Sequence, residues 1–268
     1  MPMDKKTTRI LFSIDNKVAN QDALDAAIYL SKKSNLTLTY VETSDSKDIT
    51  NGQDLLGFQT EFKRKYFKDL EYIKQAGPFW KTLATAAQER DCNMVVVGAE
   101  VVKSGLFGGG MSDTVDAFNS AILYLNNTTK WVEPKVILMP LDGNSETRQK
   151  FYRISEWAQF TRSSIHVLGV SHPSDKEDQR YVHTYSLQGQ AYMEERRIKT
   201  ALEEVHSKDC TAVILERTQS SSPCWVSAVS NTEGVFKTST FQKICEKSQV
   251  PILIVPFKEI SGMGGVGY

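Results

Sequence analysis

Short apolar runs alternate with amphipathic stretches along this chain. Arg9–Ile14 is an apolar run of strand length. Over Asn20–Ser34 the residues Ala23, Leu24, Ala27, Ile28 and Leu30 recur at helical spacing. Leu36–Val41 alternates and is rich in β-formers, which predicts a second strand. Asp54–Gln75 is long, charged and free of proline, so it predicts a helix, which Gly77-Pro78 breaks. Phe79, Trp80, Leu83, Ala84 and Ala87 mark a further helix, and Met94–Val97 a buried strand. A glycine-rich loop follows, then a helix from about Asp113 and the apolar run Ala121–Leu125.

The pattern then starts again. Val136–Leu141 reads as a strand, and Phe151, Ile154, Trp157 and Ala158 share one helical face. Ser164–Val170 is a strand and Tyr181–Tyr185 a shorter one; Gln188–His206 predicts a helix and Ala212–Leu215 a strand. Thr240–Ser248 predicts a helix and Val250–Val255 the last strand. Two landmarks align the halves. The first strand of each stops at an aspartate, Asp15 and Asp142, and Asp91-Cys92 resembles Asp209-Cys210. An internal repeat of this kind predicts a duplicated domain, with boundaries at residues 1–130 and 131–260 and a flexible glycine-rich tail at 261–268. Strands alternating with helices imply a parallel sheet covered on both faces. The expected fold is therefore α/β: two open parallel-sheet domains with helices on both faces, arranged as a pseudo-two-fold pair. Pairing Ala121–Leu125 with the 251–255 run would cover two apolar edges.

Composition narrows the function classes. The 268 residues suit two domains of ordinary size. Lys and Arg number 32, as do Asp and Glu, so the net charge is zero. That balance disfavours broad electrostatic binding to nucleic acid or an anionic membrane, and leaves room only for a local basic patch. No apolar stretch approaches the ~20 residues of a spanning helix, and the N-terminal segment reads as a buried strand, not a signal peptide. Cys92, Cys210, Cys224 and Cys245 form no C-x-x-C pair, which suits reduced thiols and a cytoplasmic location rather than disulfides or a zinc site.

Candidate chemistry lies at strand ends, where open α/β sheets bind ligands. Asp15 and Asp142 follow equivalent first strands. Each is placed either to accept a hydrogen bond from a base or sugar, or simply to cap the strand exit. Beyond Val97, Gly98, Gly105 and Gly110 with Ser112 and Thr114 form a strand-to-helix loop. Such a loop either turns backbone N–H groups toward a phosphate or serves as a plain connection capped by Ser112 or Asp113. In the second half, Glu216 and Trp225 are expected at the corresponding point and oppose phosphate by charge and bulk. His166, His172, His183 and His206 are scattered, and no Walker A, H-E-x-x-H or G-x-S-x-G pattern occurs.

These residues resemble a tandem universal stress protein over roughly Thr8–Asn126 and Pro134–Phe257. The likeness rests on the strand-then-aspartate starts, above all Met139-Pro-Leu-Asp142-Gly-Asn-Ser145, on the alanine-rich helix before Asp91–Gly98, and on the closing Val250-Pro-Ile-Leu-Ile-Val255. ATP-binding members carry G-x2-G-x9-G-[S/T] after the fourth strand. Gly98, Gly105, Gly110 and Ser112 follow that motif in part, with Val101 where its second glycine belongs. The resemblance implies a regulatory stress-response protein, and the sequence shows no nucleophile, base or metal-ligand set converging at a strand end, so no enzyme is expected. The resemblance also implies an ATP site in the first half only, with Asp15 at the base or ribose and Gly98, Gly105, Gly110 and Ser112 near the phosphates. The implied assembly is an intra-chain pseudo-dimer, open to homodimerisation, that acts on a protein partner and on neither nucleic acid nor membrane. A nucleotide-free interaction scaffold with the same fold is the alternative.

Overall fold

The computed structural model describes residues 9–14, 21–44, 53–98, 114–220, 224–230 and 238–257. In chain order these are β1 (Arg9–Ile14), α1 (Gln21–Ser34), β2 (Thr37–Ser44), α2 (Gln53–Tyr66), β3 (Leu70–Ala76), α3 (Phe79–Glu89), β4 (Cys92–Gly98) and β5 (Ala121–Leu125). The second half gives β6 (Val136–Leu141), α4 (Lys150–Thr161), β7 (Ser164–Ser171), α5 (Lys176–Glu195), β8 (Thr200–His206), α6 (Cys210–Ser220), β9 (Cys224–Val229), α7 (Thr238–Lys247) and β10 (Ile252–Val255). Short 3-10 turns precede β5 and α4, at Val115–Ala117 and Ser145–Gln149.

All ten strands join one sheet in the order β3-β2-β1-β4-β5-β10-β9-β6-β7-β8. Read from either end, the order visits equivalent strands of the two halves. The ladders agree in register: Arg9 lies opposite Thr37 and Val136 opposite Ser164, both shifted by 127 residues. Every pairing is parallel except the central one, β5 with β10. The halves thus meet through their last strands, as the apolar edges predict, and form one continuous sheet instead of two separate ones. The ladders Leu11–Val95–Ile122 and Leu138–Val226–Ile252 make Leu123 equivalent to Leu253. Those two leucines lie opposite each other at the junction, so the strand topology has its two-fold centre there.

Period-2 alternation sends successive side chains to opposite faces. Leu11, Val95, Val97, Ile122 and Tyr124 face one core layer, closed by Trp80, Leu83 and Ala87 of α3 and by Ile214, Phe241 and Ile244 of α6 and α7. Ile10, Phe12, Met94, Val96 and Leu123 face the other, under Ala23, Ala27 and Leu30 of α1 and Phe151, Ile154 and Trp157 of α4. Both layers run across the junction. The segment between β5 and β6 is stapled to the second half as well. Asn126 Nδ2 donates to the carbonyls of Cys245 and Ser248 at 2.9 and 3.0 Å, while its Oδ1 accepts from the Thr128 and Thr129 amides. Trp131 packs against Tyr29 and Trp225, and its amide donates to Asp22 Oδ1 at 2.8 Å.

Four expectations need correction. The predicted helix 54–75 ends at Tyr66, and Leu70–Ala76 is the edge strand β3; Phe67, with φ 54°, turns the chain without a glycine. The predicted helix 188–206 likewise ends at Glu195, a left-handed Arg197 follows, and Thr200–His206 is β8. Tyr181–Tyr185 belongs to α5. Ala212–Leu215 is helical, because Asp209 Oδ1 accepts from the Ala212 amide and caps the first turn of α6. The strand expected there is β9, so Cys92 corresponds to Cys224 and not to Cys210.

Candidate functional site at the strand ends

The strand order reverses between β1 and β4 in the first half and between β6 and β9 in the second. Crevices beyond the carboxyl ends of such strand pairs are the sites this architecture offers. In the first half β1 and β4 stay paired to their ends, the last pair being Ile14 with Gly98. Gly98 is buried and also lies opposite Leu125 of β5. Asp15, Gly105, Gly110 and Ser112 lie outside the described residues, so of the five predicted site residues Gly98 alone is placed by the fold.

The second crevice is built differently. The β6–β9 ladder covers Val136, Ile137 and Leu138 and stops there. Pro140 is the reason: it has no N–H to donate, and alternate residues direct their main-chain groups to the same neighbour. The carbonyls on that side are served by side chains. Ser227 Oγ donates to the Leu138 carbonyl at 3.1 Å, and Lys150 Nζ donates to the Pro140 carbonyl. Lys150 opens α4 yet is only 2% exposed. Burial pushes its ammonium down to about 8, against which the charge of Asp142 acts to raise it.

Asp142 is fully buried, and its Oδ1 accepts from the Asn144 amide at 3.3 Å. The next residue must be small: a Cβ on Gly143 would lie 2.3 Å from Asp178 Oδ1. Asp178 is held in place, with Oδ2 accepting from the His172 amide at 2.7 Å. A narrow cleft remains where β6 and β9 diverge, lined by Pro140, Thr147, Lys150, Ser227, Ala228 and Val229 and closed by Phe241 and Ile244 of α7. It has room for about one water molecule. Thr147 Oγ1 is buried in its wall without a hydrogen-bond partner among the described residues.

Glu216 and Trp225 do not stand where the sequence placed them. Glu216 lies in α6, and Trp225 is buried within β9, its indole N–H donating to the Val132 carbonyl at 3.1 Å. The feature that fills the second crevice is Lys150. Two signals in the sequence pointed to it: a proline inside a strand run, and a lysine at the head of an otherwise apolar helical face. Among the described residues no group of three or more His, Cys, Asp or Glu side chains is placed to hold a metal ion, and no helix is long and apolar enough to cross a membrane.

No family model and no curated protein matches the chain by sequence. Solved structures do. A universal stress protein from Archaeoglobus fulgidus DSM 4304 superposes with a TM-score of 0.64 at 11% identity, covering 94% of this chain and 98% of that one. A protein of unknown function from Pseudomonas aeruginosa PAO1 gives 0.62 at 13% identity, covering 93% and 92%. One assigned to the universal stress proteins from Pseudomonas aeruginosa UCBPP-PA14 gives 0.61 at 12%, covering 93% of each. The overlap spans both halves, and at these identities it speaks for the fold. The chain has the fold of the universal stress proteins, carried in tandem across its two halves.

Proposed function

We propose that this chain is a non-catalytic, regulatory stress-response protein of the cytoplasm, that adenine nucleotide binding is confined to its first half, and that it acts through a protein partner. The observation that carries the asymmetry is the state of the two switch points. The first keeps its strands paired up to a buried glycine, the arrangement that lets backbone approach a phosphate closely. The second is filled by Lys150. The thiols fit a role without nucleophilic chemistry in a reducing compartment. All four are free and buried, and burial raises those of Cys92 and Cys224 to about 12 and that of Cys210 to about 11.

Native mass spectrometry and titration calorimetry with ATP, on wild type, Asp15→Ala and Asp142→Ala, test the reading. The expected result is no more than one nucleotide per chain, lost in Asp15→Ala and kept in Asp142→Ala. The opposite pattern would move the site to the second half and refute it. Absence of bound nucleotide in every case favours the nucleotide-free interaction scaffold.

A further inference from the structure

We infer that the switch-point cleft of the second half is a site for a primary alkylammonium group, and that the chain fills it with its own Lys150. The strand pair is split by Pro140, which leaves a main-chain carbonyl directed at the gap, and that carbonyl is the acceptor of the Lys150 ammonium. The walls are largely apolar, with Val229, Phe241 and Ile244 among them, and add two hydroxyl oxygens and, among the described residues, no cation besides Lys150. Thr147 Oγ1 and Ser227 Oγ line the cleft, and the fully buried Asp142 supplies the negative charge that the ammonium feels. An ammonium has three donors and no acceptor; the Pro140 carbonyl takes one of them, and Thr147 Oγ1, which has no partner among the described residues, is a further acceptor in the same wall. Size matches as well, because the space left beside the side chain takes about one water and nothing larger.

The first half keeps the aspartate, Asp15 for Asp142, but lacks the proline and the lysine. At the 127-residue offset, Ser13 stands for Pro140 and Ala23 for Lys150. Ser13 Oγ donates to the Val41 carbonyl, and β1 and β4 remain joined. A splayed strand pair and a lysine to fill it therefore occur together in one half and are both missing from the other. Each alone would be unfavourable, the first as an unpaired buried carbonyl and the second as a buried charge.

Chemical rescue of the full-length chain tests this. Lys150→Ala removes three carbons and the ammonium, the shape of n-propylammonium. Urea unfolding of Lys150→Ala is followed with n-propylammonium chloride, n-propanol or tetramethylammonium chloride added at equal concentration. The expected result is a saturable gain with n-propylammonium, about tenfold in the folded-to-unfolded ratio when the amine is about tenfold above its Kd. Wild type and the volume-conserving Lys150→Met should show no such gain. Equal rescue by n-propanol would mean an ordinary apolar cavity and overturn the proposal. Absence of rescue would overturn it too. If Lys150→Ala does not fold by itself, recovery of its circular dichroism in n-propylammonium alone supports the site, and failure to recover refutes it. No nucleotide enters the assay, so its outcome is independent of whether the first half binds ATP.

Discussion

Replacing Lys150 by Met should change the pH dependence of folding in a defined direction. The ordinary value of a lysine amine is 10.5, and in this fold Lys150 titrates at about 8. That difference amounts to roughly 3 kcal/mol of destabilisation while the group is charged in both states. Below pH 8 the folded and unfolded chains both hold the proton, and the full penalty applies. Between pH 8 and 10.5 the folded chain releases it first, the unfolded chain binds more protons, and stability rises with pH. Above 10.5 the penalty is gone. The buried thiols work the other way. Cys92 and Cys224 are held up to about 12 and Cys210 to about 11, against an ordinary 9.0, so above pH 9 the unfolded chain loses thiol protons first and stability falls. These thiols are common to both proteins and cancel in a difference. The quantity to measure is the unfolding free energy of Lys150→Met minus that of wild type, from urea titrations at pH 7, 8, 9 and 10 and fixed ionic strength. It should decrease with pH, by about 3 kcal/mol in total as pH passes from 7 through 10.5. A difference that stays flat over this range would show that the Lys150 amine is solvated, and the account of the cleft would be wrong.

Three further expectations concern the frame. Leu253→Ala removes a fully buried side chain at the junction, opposite Leu123, and should lower urea stability by about 2–5 kcal/mol; a loss below 1 kcal/mol would mean that the junction is not packed as described. Asn126→Ala deletes a buried amide that serves two carbonyls of the second half and should cost about 2–4 kcal/mol, with a larger fall in the melting temperature than for an exposed control such as Gln219→Ala. Phe67→Gly should stabilise the chain by roughly 0.5–1 kcal/mol, because Phe67 is 90% exposed and holds a left-handed φ of 54° just past a helix end. A destabilised Phe67→Gly would show that the aromatic ring makes contacts that its exposure does not reveal.

Much of the fold was legible in the sequence, for one reason. A strand buried on both faces must be largely apolar; β5, β6 and β10 are so throughout and β1 is but for Arg9 and Ser13, so those runs stood out with nearly their observed ends. The edge strands were hidden. β3 and β8 are half-exposed, mix charged with apolar residues, and follow helices that end on Phe67 and Arg197 without a glycine or proline to mark the stop. The β-branched run at 211–214 misled in the opposite sense, because a cap from Asp209 outweighs β propensity over one short turn. That error displaced the repeat alignment and assigned to Glu216 and Trp225 a role that neither position can fill.

The sequence by itself determined that the chain is a duplicated α/β protein, neutral overall, with apolar terminal strands in each half that need covering. Those properties follow from the burial each segment requires, and burial is written locally in the spacing of apolar residues. Only the tertiary structure decided the register in which the two terminal strands cover each other, antiparallel with Leu123 opposite Leu253. It also decided that Pro140 splits the second switch point and that the Lys150 ammonium closes the gap. These depend on which strand lies beside which and on where a long side chain reaches. Neighbours ten to well over a hundred residues apart in sequence set both, and no local pattern records them.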